Sequence, residues 1–317
     1  MANTRRKEQL GIALEATPGT AVAPTHYIPF LECSLEEKLE IISDNQAKGR
    51  RLGEGSDAVE GKKSGEGKIE VVLDPDTAPY WLALAFGAIE SAPDGDNFAH
   101  TCELSEENDP LTASIWRDRV VDGVQFVNAV VDTLELTFAD DVAKLSMDIK
   151  SKYPAAEESP GGAGVIAAEQ NLNYYTFRNA KVEIGEATIK VKEFSLKVEN
   201  EAEVIYAPGS NDVDRIVVKT PKVSGSFTLL FESLTQKAAF EGLTKNAMVI
   251  TFTGDGDDEI VITIPQFRVD KWNQGGGIDD ISEETIEFIA EDANESPLGA
   301  AITAVVTNGV EKYISKT

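Results

Sequence analysis

Histidine, cysteine, positive charge and long apolar runs are all scarce in this 317-residue chain. His26 and His100 are its only histidines, Cys33 and Cys102 its only cysteines. Nucleophilic catalysis needs a base beside the nucleophile, and His100-Thr101-Cys102 is the one close pairing. Two residues apart on a strand, this pair shares a face, and we read both as ordinary strand residues; no catalytic residue is assigned. Two thiols without a framework spacing read as reduced structural cysteines. A structural zinc site takes four Cys or His ligands in a recognisable spacing, which this sequence does not offer. The longest apolar stretch, around Tyr80–Ile89, is far short of the ~20 residues that span a bilayer, so no membrane partner is expected. Residues 1–10, MANTRRKEQL, lack the apolar core of a secretory signal. That points to a soluble protein made in a cytoplasm.

Lys and Arg number 29 against 55 Asp and Glu, a formal charge of −26. Gripping DNA depends on Lys and Arg displacing counterions from phosphates. The acidic excess therefore argues against a DNA-gripping protein, though not against one that DNA slides past. The few basic residues are unevenly placed. Arg5, Arg6 and Lys7 open the chain, while Lys48, Arg50, Arg51, Lys62 and Lys63 fall within Ser43–Gly67, a Gly-rich segment too polar for core and too long for a hairpin turn. Two other clusters are weaker signals. Asp255, Asp257, Asp258 and Glu259 fit no calcium-loop spacing and read as a solvated hairpin tip. Gly275-Gly276-Gly277 is followed by Asp279-Asp280 rather than Lys-Ser/Thr, so it reads as a flexible loop, not a phosphate cradle. No metal or cofactor is expected.

What the sequence does contain is strand. Gly67–Leu73, Thr133–Phe138, Lys144–Lys150, Glu193–Glu199, Ser224–Phe231, Ala247–Gly254, Glu259–Ile264 and Glu284–Ala290 alternate polar and apolar residues or run β-branched. Two helices are expected, Ala78–Glu90 after the N-cap types Asp76-Thr77, with an apolar stripe, and Thr235–Leu243. Ser34–Ile42 carries helical residues but a β-rich end, and is read as strand. Pro154–Val165, PAAEESPGGAGV, has the composition of a linker.

The two halves resemble each other. GKIEVVLDPDTAPYWLALAFG and GSFTLLFESLTQKAAFEGL share the order strand, acidic residue, Thr, helix. Gly67 falls on Gly225, Val71 on Leu229, Asp74 on Glu232 and Thr77 on Thr235, a constant offset of 158. Cys33–Ile41 pairs less tightly with Phe194–Val204. The fold expected is all-β with minor α: two tandem β-sandwich or barrel domains, each with a short flanking helix. The boundaries read as an N-terminal arm over 1–30, a first domain over 31–155 with a long loop at 43–67, a linker over 156–170, and a second domain over 171–317 with a C-terminal extension.

GIALEATPGTAVAPTHYIPF (Gly11–Phe30) resembles the opening of tail tube proteins from long, non-contractile-tailed bacteriophages, and TFRNAKVEIG (Thr176–Gly185), VKEFSLKVENEAEV (Val191–Val204, with Asn200) and TPKVSGSFTLLF (Thr220–Phe231) resemble that family in order. The likeness covers most of the chain, loosely in the middle. It implies a structural subunit of the virion tail, assembled in the host bacterial cytoplasm, whose sheets join those of its neighbours into a barrel around a lumen that passes double-stranded DNA without binding it specifically. It further implies tail terminator, distal tail and tape-measure proteins as partners. A duplicated domain lets three chains supply six copies and close a pseudo-sixfold homotrimeric ring; a homohexamer with one domain outside the ring is the alternative. Thr133, Glu135 and Thr137 are expected to face the lumen, whose wall is expected to be acidic. In resembling proteins the N-terminal arm and a long loop or hairpin reach the adjacent ring, so Arg5, Arg6, Lys7, Lys48, Arg50, Arg51, Lys62 and Lys63 are expected at ring–ring contacts. Competing readings are a tail terminator or ring cap on the same domain, an adhesive carbohydrate-binding β-sandwich, and an enzyme on a β scaffold. The sandwich predicts a signal peptide and exposed aromatic platforms, and the enzyme lacks its acid–base set.

Overall fold

Side chains that alternate between water and core hold a backbone extended, because successive Cβ atoms point to opposite faces. A computed structural model of the chain describes residues 5–43, 58–105, 109–139, 141–157, 174–185, 187–254, 257–276, 281–291 and 301–314. In the first half, β1 (Gln9–Leu14), β2 (His26–Tyr27), β3 (Glu32–Cys33), β4 (Glu36–Ser43) and β5 (Ala58–Val72) precede α1 (Ala78–Phe86). There follow β6 (Gly87–Asp94), β7 (Asn97–Leu104), β8 (Ala113–Asp118), β9 (Gly123–Phe138), β10 (Lys144–Ser151) and β11 (Ala155–Glu157). The second half contains β12 (Ala180–Ile184), β13 (Ala187–Ile189), β14 (Val191–Glu199), β15 (Glu203–Tyr206), β16 (Val213–Val217) and β17 (Lys222–Leu230). After α2 (Thr235–Glu241) come β18 (Lys245–Thr253), β19 (Glu259–Gly275), β20 (Glu283–Ala290) and β21 (Thr303–Asn308). The fold is all-β with two short helices.

The eight segments read as strands lie in strands, and Glu36–Ser43 is strand rather than helix. Several boundaries differ, each for a local reason. The first helix stops at Phe86, four residues early, because Gly87 turns left-handed (φ 90°) and its N–H bonds to the Ala83 carbonyl, while Gly87–Asp94 pairs with β7 as strand. Its apolar stripe is not a stripe, since all nine helical residues are buried. Its N-terminus is held not by Thr77, which makes no capping bond, but by Asp74, whose Oδ1 accepts from the N–H groups of Asp76 (3.0 Å) and Thr77 (3.2 Å). Ala58–Gly67, expected in a loop, is the first part of β5, and its residues as far as Glu66 pair with β4; residues 44–57 are outside the described residues. Of the linker, Ala155–Glu157 pairs with β9, and the part from 158 onward lies outside the described residues. In the N-terminal arm, β1 pairs with β8 and β2 and buries Leu10, Ile12 and Leu14.

An antiparallel eight-stranded sheet runs in the order β4-β5-β10-β9-β14-β17-β20-β19. A second, β6-β7-β21-β19-β18-β12-β13, takes the first part of β19, and β2-β1-β8-β9-β11 takes the first part of β9. The long strands β9 and β19 thus pass from one sheet into another. Between the layers aromatic rings interlock: Phe138 stacks on Phe194 at 5.0 Å and meets Phe252 edge-on at 5.4 Å, and Phe288 touches Phe194, Phe227 and Phe267.

The C-terminal strand β21 crosses to the first half, where it pairs with β7. Asn308 locks it there: its Nδ2 donates to the Pro75 carbonyl and the Tyr313 hydroxyl, each at 2.7 Å, and its Oδ1 faces His100 Nε2 at 3.0 Å. Tyr313 in turn donates to the Asp76 carbonyl at 2.8 Å. Both histidines of the chain pack on this tyrosine, His100 edge-on at 4.7 Å and His26 stacked at 6.0 Å.

The order of strand partners repeats. Ile69 of β5 lies between Cys33 and Met147; Phe227 of β17, 158 residues later, lies between Phe194 and Ile286. Met147 pairs onward with Leu134, and Ile286 with Trp272. One step further each outer strand carries a bulge. Asp132 is passed over between Thr133 and Val131, and Asp270 between Lys271 and Val269. The sheet is therefore two successive sets of four strands with matched register, β4-β5-β10-β9, in which β3 precedes β4 along β5 in the same register, and β14-β17-β20-β19.

Candidate assembly surface

The eight-stranded sheet has one face packed and one face wet. Along β9, Leu134, Leu136 and Phe138 are buried, while Thr133, Glu135 and Thr137 alternate with them on the wet face. Ser195 of β14 donates to Glu135 Oε1 at 2.9 Å on that face, and Thr228 meets Thr285 at 3.3 Å. The surface is hollowed around Thr137, Ser195, Ser226 and Thr228.

Part of its charge is carried as Lys–carboxylate pairs. Lys38 stands 2.6 Å from Glu36, Lys144 3.9 Å from Glu70, Lys150 3.0 Å from Asp132 and Lys271 2.6 Å from Glu287, and Lys197 bonds to Glu199. Pairs this exposed add little stability, about 0–1 kcal/mol each. They offset part of the acidity of this face, while Glu135 is engaged by the Ser195 hydroxyl.

Where the two four-strand sets meet inside the chain, β9 pairs with β14 over six residues, from Phe138↔Phe194 to Thr133↔Glu199. Leu136 faces Leu196 and Leu134 faces Val198 on the buried side. The bulge residue secures the end of this junction: Asp132 Oδ1 accepts from the Ala202 N–H at 2.6 Å, and its carbonyl accepts from the Asn200 N–H at 2.8 Å. Asn200, buried, donates from Nδ2 to the carbonyls of Ala85 and Val131, tying the junction to α1. No sequence pattern marked Asp132, since a bulge is set by two strands whose registers differ by one.

At its two ends the sheet is open. Among the described residues, β4 pairs only with β5, and the stretch Lys271–Gly275 of β19 only with β20. The hairpin formed by β4 and β5 also exposes apolar side chains toward its tip, with Ile41 at 68% and Val59 at 59% exposure. Isolated strands with such edges invite pairing with another chain.

The basic residues fall into three groups. Arg5–Lys7 forms a short 3-10 turn, and Arg6 and Lys7 are exposed. Lys48, Arg50 and Arg51 lie outside the described residues. Lys62 and Lys63, on β5, engage the chain itself: Lys63 pairs with Glu60 at 2.8 Å and lies 5.6 Å from the Tyr153 ring, and the Lys62 ammonium lies 5.0 Å from the Tyr206 ring. The Lys63 N–H donates to the Asn211 carbonyl at 2.8 Å, so the β15–β16 hairpin rests against β5.

The residues weighed for chemistry are built into the framework. His100 and Cys102 share a buried face of β7. Burial raises the Cys102 thiol far above its ordinary pKa and lowers that of His100, so neither ionises readily near neutrality. Among the described residues no group of three or more His, Cys, Asp or Glu is arranged to hold a metal, and no helix is long and apolar enough to cross a membrane. Asp255 lies outside the described residues, and across that turn the Gly254 N–H bonds to the Asp258 carbonyl at 2.8 Å.

A sequence profile described as phage tail tube protein matches residues 6–290 of the chain. No curated protein matches it.

Proposed function

The chain belongs to the phage tail tube protein family, structural components of the virion tail, and from that premise we propose that it assembles with copies of itself into stacked rings around a channel for genomic DNA. One observation carries this reading: a continuous sheet of two matched four-strand sets, wet on one face and ending in two unpaired edges. Its edge groups, otherwise left to water, are a template on which further copies extend the sheet, and closing on itself removes the edges altogether. Three chains supply six sets, which favours a pseudo-sixfold homotrimeric ring over a hexamer. Two units per chain also favour the domain division at 31–155 and 171–317.

In the ring, the wet face with Thr133, Glu135 and Thr137 lines the channel. A lattice of Lys–carboxylate pairs presents no free cationic wall to hold phosphates, and the carboxylates in excess repel the duplex from all sides. The exposed Ile41 and Val59 of the β4–β5 hairpin, the basic residues Lys48, Arg50 and Arg51 and the Arg5–Lys7 turn meet the adjacent ring. Tail terminator, distal tail and tape-measure proteins bound the tube.

Negative-stain electron microscopy of the purified protein tests the reading. Rings or tubes with a central hole are expected; dispersed monomers at every salt and protein concentration would overturn it.

A further inference from the structure

The internal junction between the two four-strand sets is a template for the contact between chains. Resting on the tube reading, we propose that the open edge of β19 in one copy pairs antiparallel with the segment Ser34–Lys38 of the next copy, in the register that β9 and β14 already use inside the chain.

The correspondence follows from the pairings alone. Glu36 sits opposite Glu66 of β5, and Lys197 sits opposite Ser224 of β17, 158 residues after Glu66. Glu36 is thus the counterpart of Lys197, and residues 34–38 are counterparts of 195–199. On the other side, Leu134 pairs with Met147 and Trp272 with Ile286, and the bulges at Asp132 and Asp270 coincide. Asn273 is therefore the counterpart of Glu135. Inside the chain Lys197 faces Glu135; between chains Glu36 faces Asn273, Ser34 faces Gly275, and Glu37 faces Trp272.

The side chains at this contact suit it. Glu37 is already held by Arg119 Nη1 and Nη2, each at 2.9 Å, and Trp272 Nε1 donates to Glu284 at 2.7 Å, so neither brings an unpaired polar group to the join. The Leu35 carbonyl receives Arg117 Nη1 and keeps a second lone pair for the incoming strand. Lys38 falls opposite Lys271, but each has its own carboxylate, Glu36 and Glu287. Diagonal neighbours across antiparallel strands are within reach of long side chains, which brings Glu36 to Lys271 as well. Gly275 opposite Ser34 leaves the end of the join free of side-chain conflict.

The test is site-directed disulfide trapping in the full-length chain, at exposed positions whose replacement spares the fold. Directly opposed residues have Cα atoms roughly 4.5–5.5 Å apart, within disulfide reach, whereas pairs two residues out of register do not. The double variant Glu36→Cys/Asn273→Cys, oxidised after assembly, is expected to lose most of its monomer band on a non-reducing gel to dimer and trimer bands. Glu36→Cys/Lys271→Cys and Lys38→Cys/Asn273→Cys are expected to remain monomeric on the same gel. If rings or tubes form but an out-of-register pair crosslinks in place of the matched one, the register is wrong while the tube reading stands. If they form and none of the three pairs crosslinks, the two edges are not partners. If no rings or tubes form from the unaltered chain, the tube reading itself fails.

Discussion

Gly67 and Gly225, 158 residues apart, meet the same obstacle: a Cβ on either would lie 2.4 Å from a serine carbonyl oxygen on the neighbouring strand, Ser34 for one and Ser195 for the other. A side chain cannot move backbone aside cheaply, so both strands need glycine at that point. Gly67→Ala and Gly225→Ala are each expected to cost about 1–3 kcal/mol of stability by overpacking, read from urea denaturation midpoints. Gly309→Ala, where nothing lies within 4 Å, should stay within about 0.5 kcal/mol. Equal, small effects at all three positions would contradict the matched close approach.

Glu15 is buried with its carboxylate fully engaged. Gly19 N–H (2.7 Å) and Thr112 hydroxyl (2.7 Å) donate to Oε2, and Ser114 hydroxyl (2.8 Å) and Asn128 N–H (2.9 Å) donate to Oε1. It therefore fastens the end of β1 to β8 and β9. Glu15→Gln places an amide NH2 against two donors and is expected to cost about 1–3 kcal/mol. Limited proteolysis should then cut near residues 15–25 sooner than in the unaltered chain. Unchanged cleavage would show that strand pairing and apolar packing hold β1 without the Glu15 bonds.

Stability should depend on pH through two groups that act oppositely. Burial, with Asp76 nearby, pushes Asp74 from 3.8 up to about 6. The fold thus favours the neutral acid, and this contribution is complete below about pH 4 and lost as pH rises through 6. His100, lowered by burial from 6.5, contributes fully above pH 6.5 and loses that contribution as pH falls. Asp74→Asn keeps the two capping bonds and removes the titration. It is expected to raise stability at pH 8 by up to roughly 3 kcal/mol and to change it little at pH 4, measured by denaturation across that range. An equal effect at both ends would rule out the Asp74 titration.

Assembly should respond to salt. Chains of formal charge −26 repel one another, and at physiological ionic strength screening limits that repulsion to about 8 Å. Tube length under the microscope is expected to grow with added salt. Replacing Arg50 and Arg51 with Gln should shorten the tubes at fixed salt by weakening ring–ring attraction. Unchanged tube length would place those arginines away from the stacking contact.

The sequence by itself determined the strand-rich character, the places of the strands that form the eight-stranded sheet, and the likeness of the two halves, because period-two alternation and a constant spacing are local and additive signals. Its weakest readings were where a segment's fate depends on what lies against it. The helix expected over Ala78–Glu90 looked amphipathic, yet sheet strands and the returning C-terminus cover Ala78–Phe86 on all sides. Gly87 could have continued or ended that helix, and its pairing with β7 decided the matter. Only the tertiary structure revealed that the two matched halves join through β9 and β14, that bulges at Asp132 and Asp270 coincide, and that two edges remain unpaired. Strand pairing between residues far apart in the sequence is set by packing and backbone hydrogen bonding in three dimensions, and a linear pattern of polar and apolar residues does not specify which edge meets which.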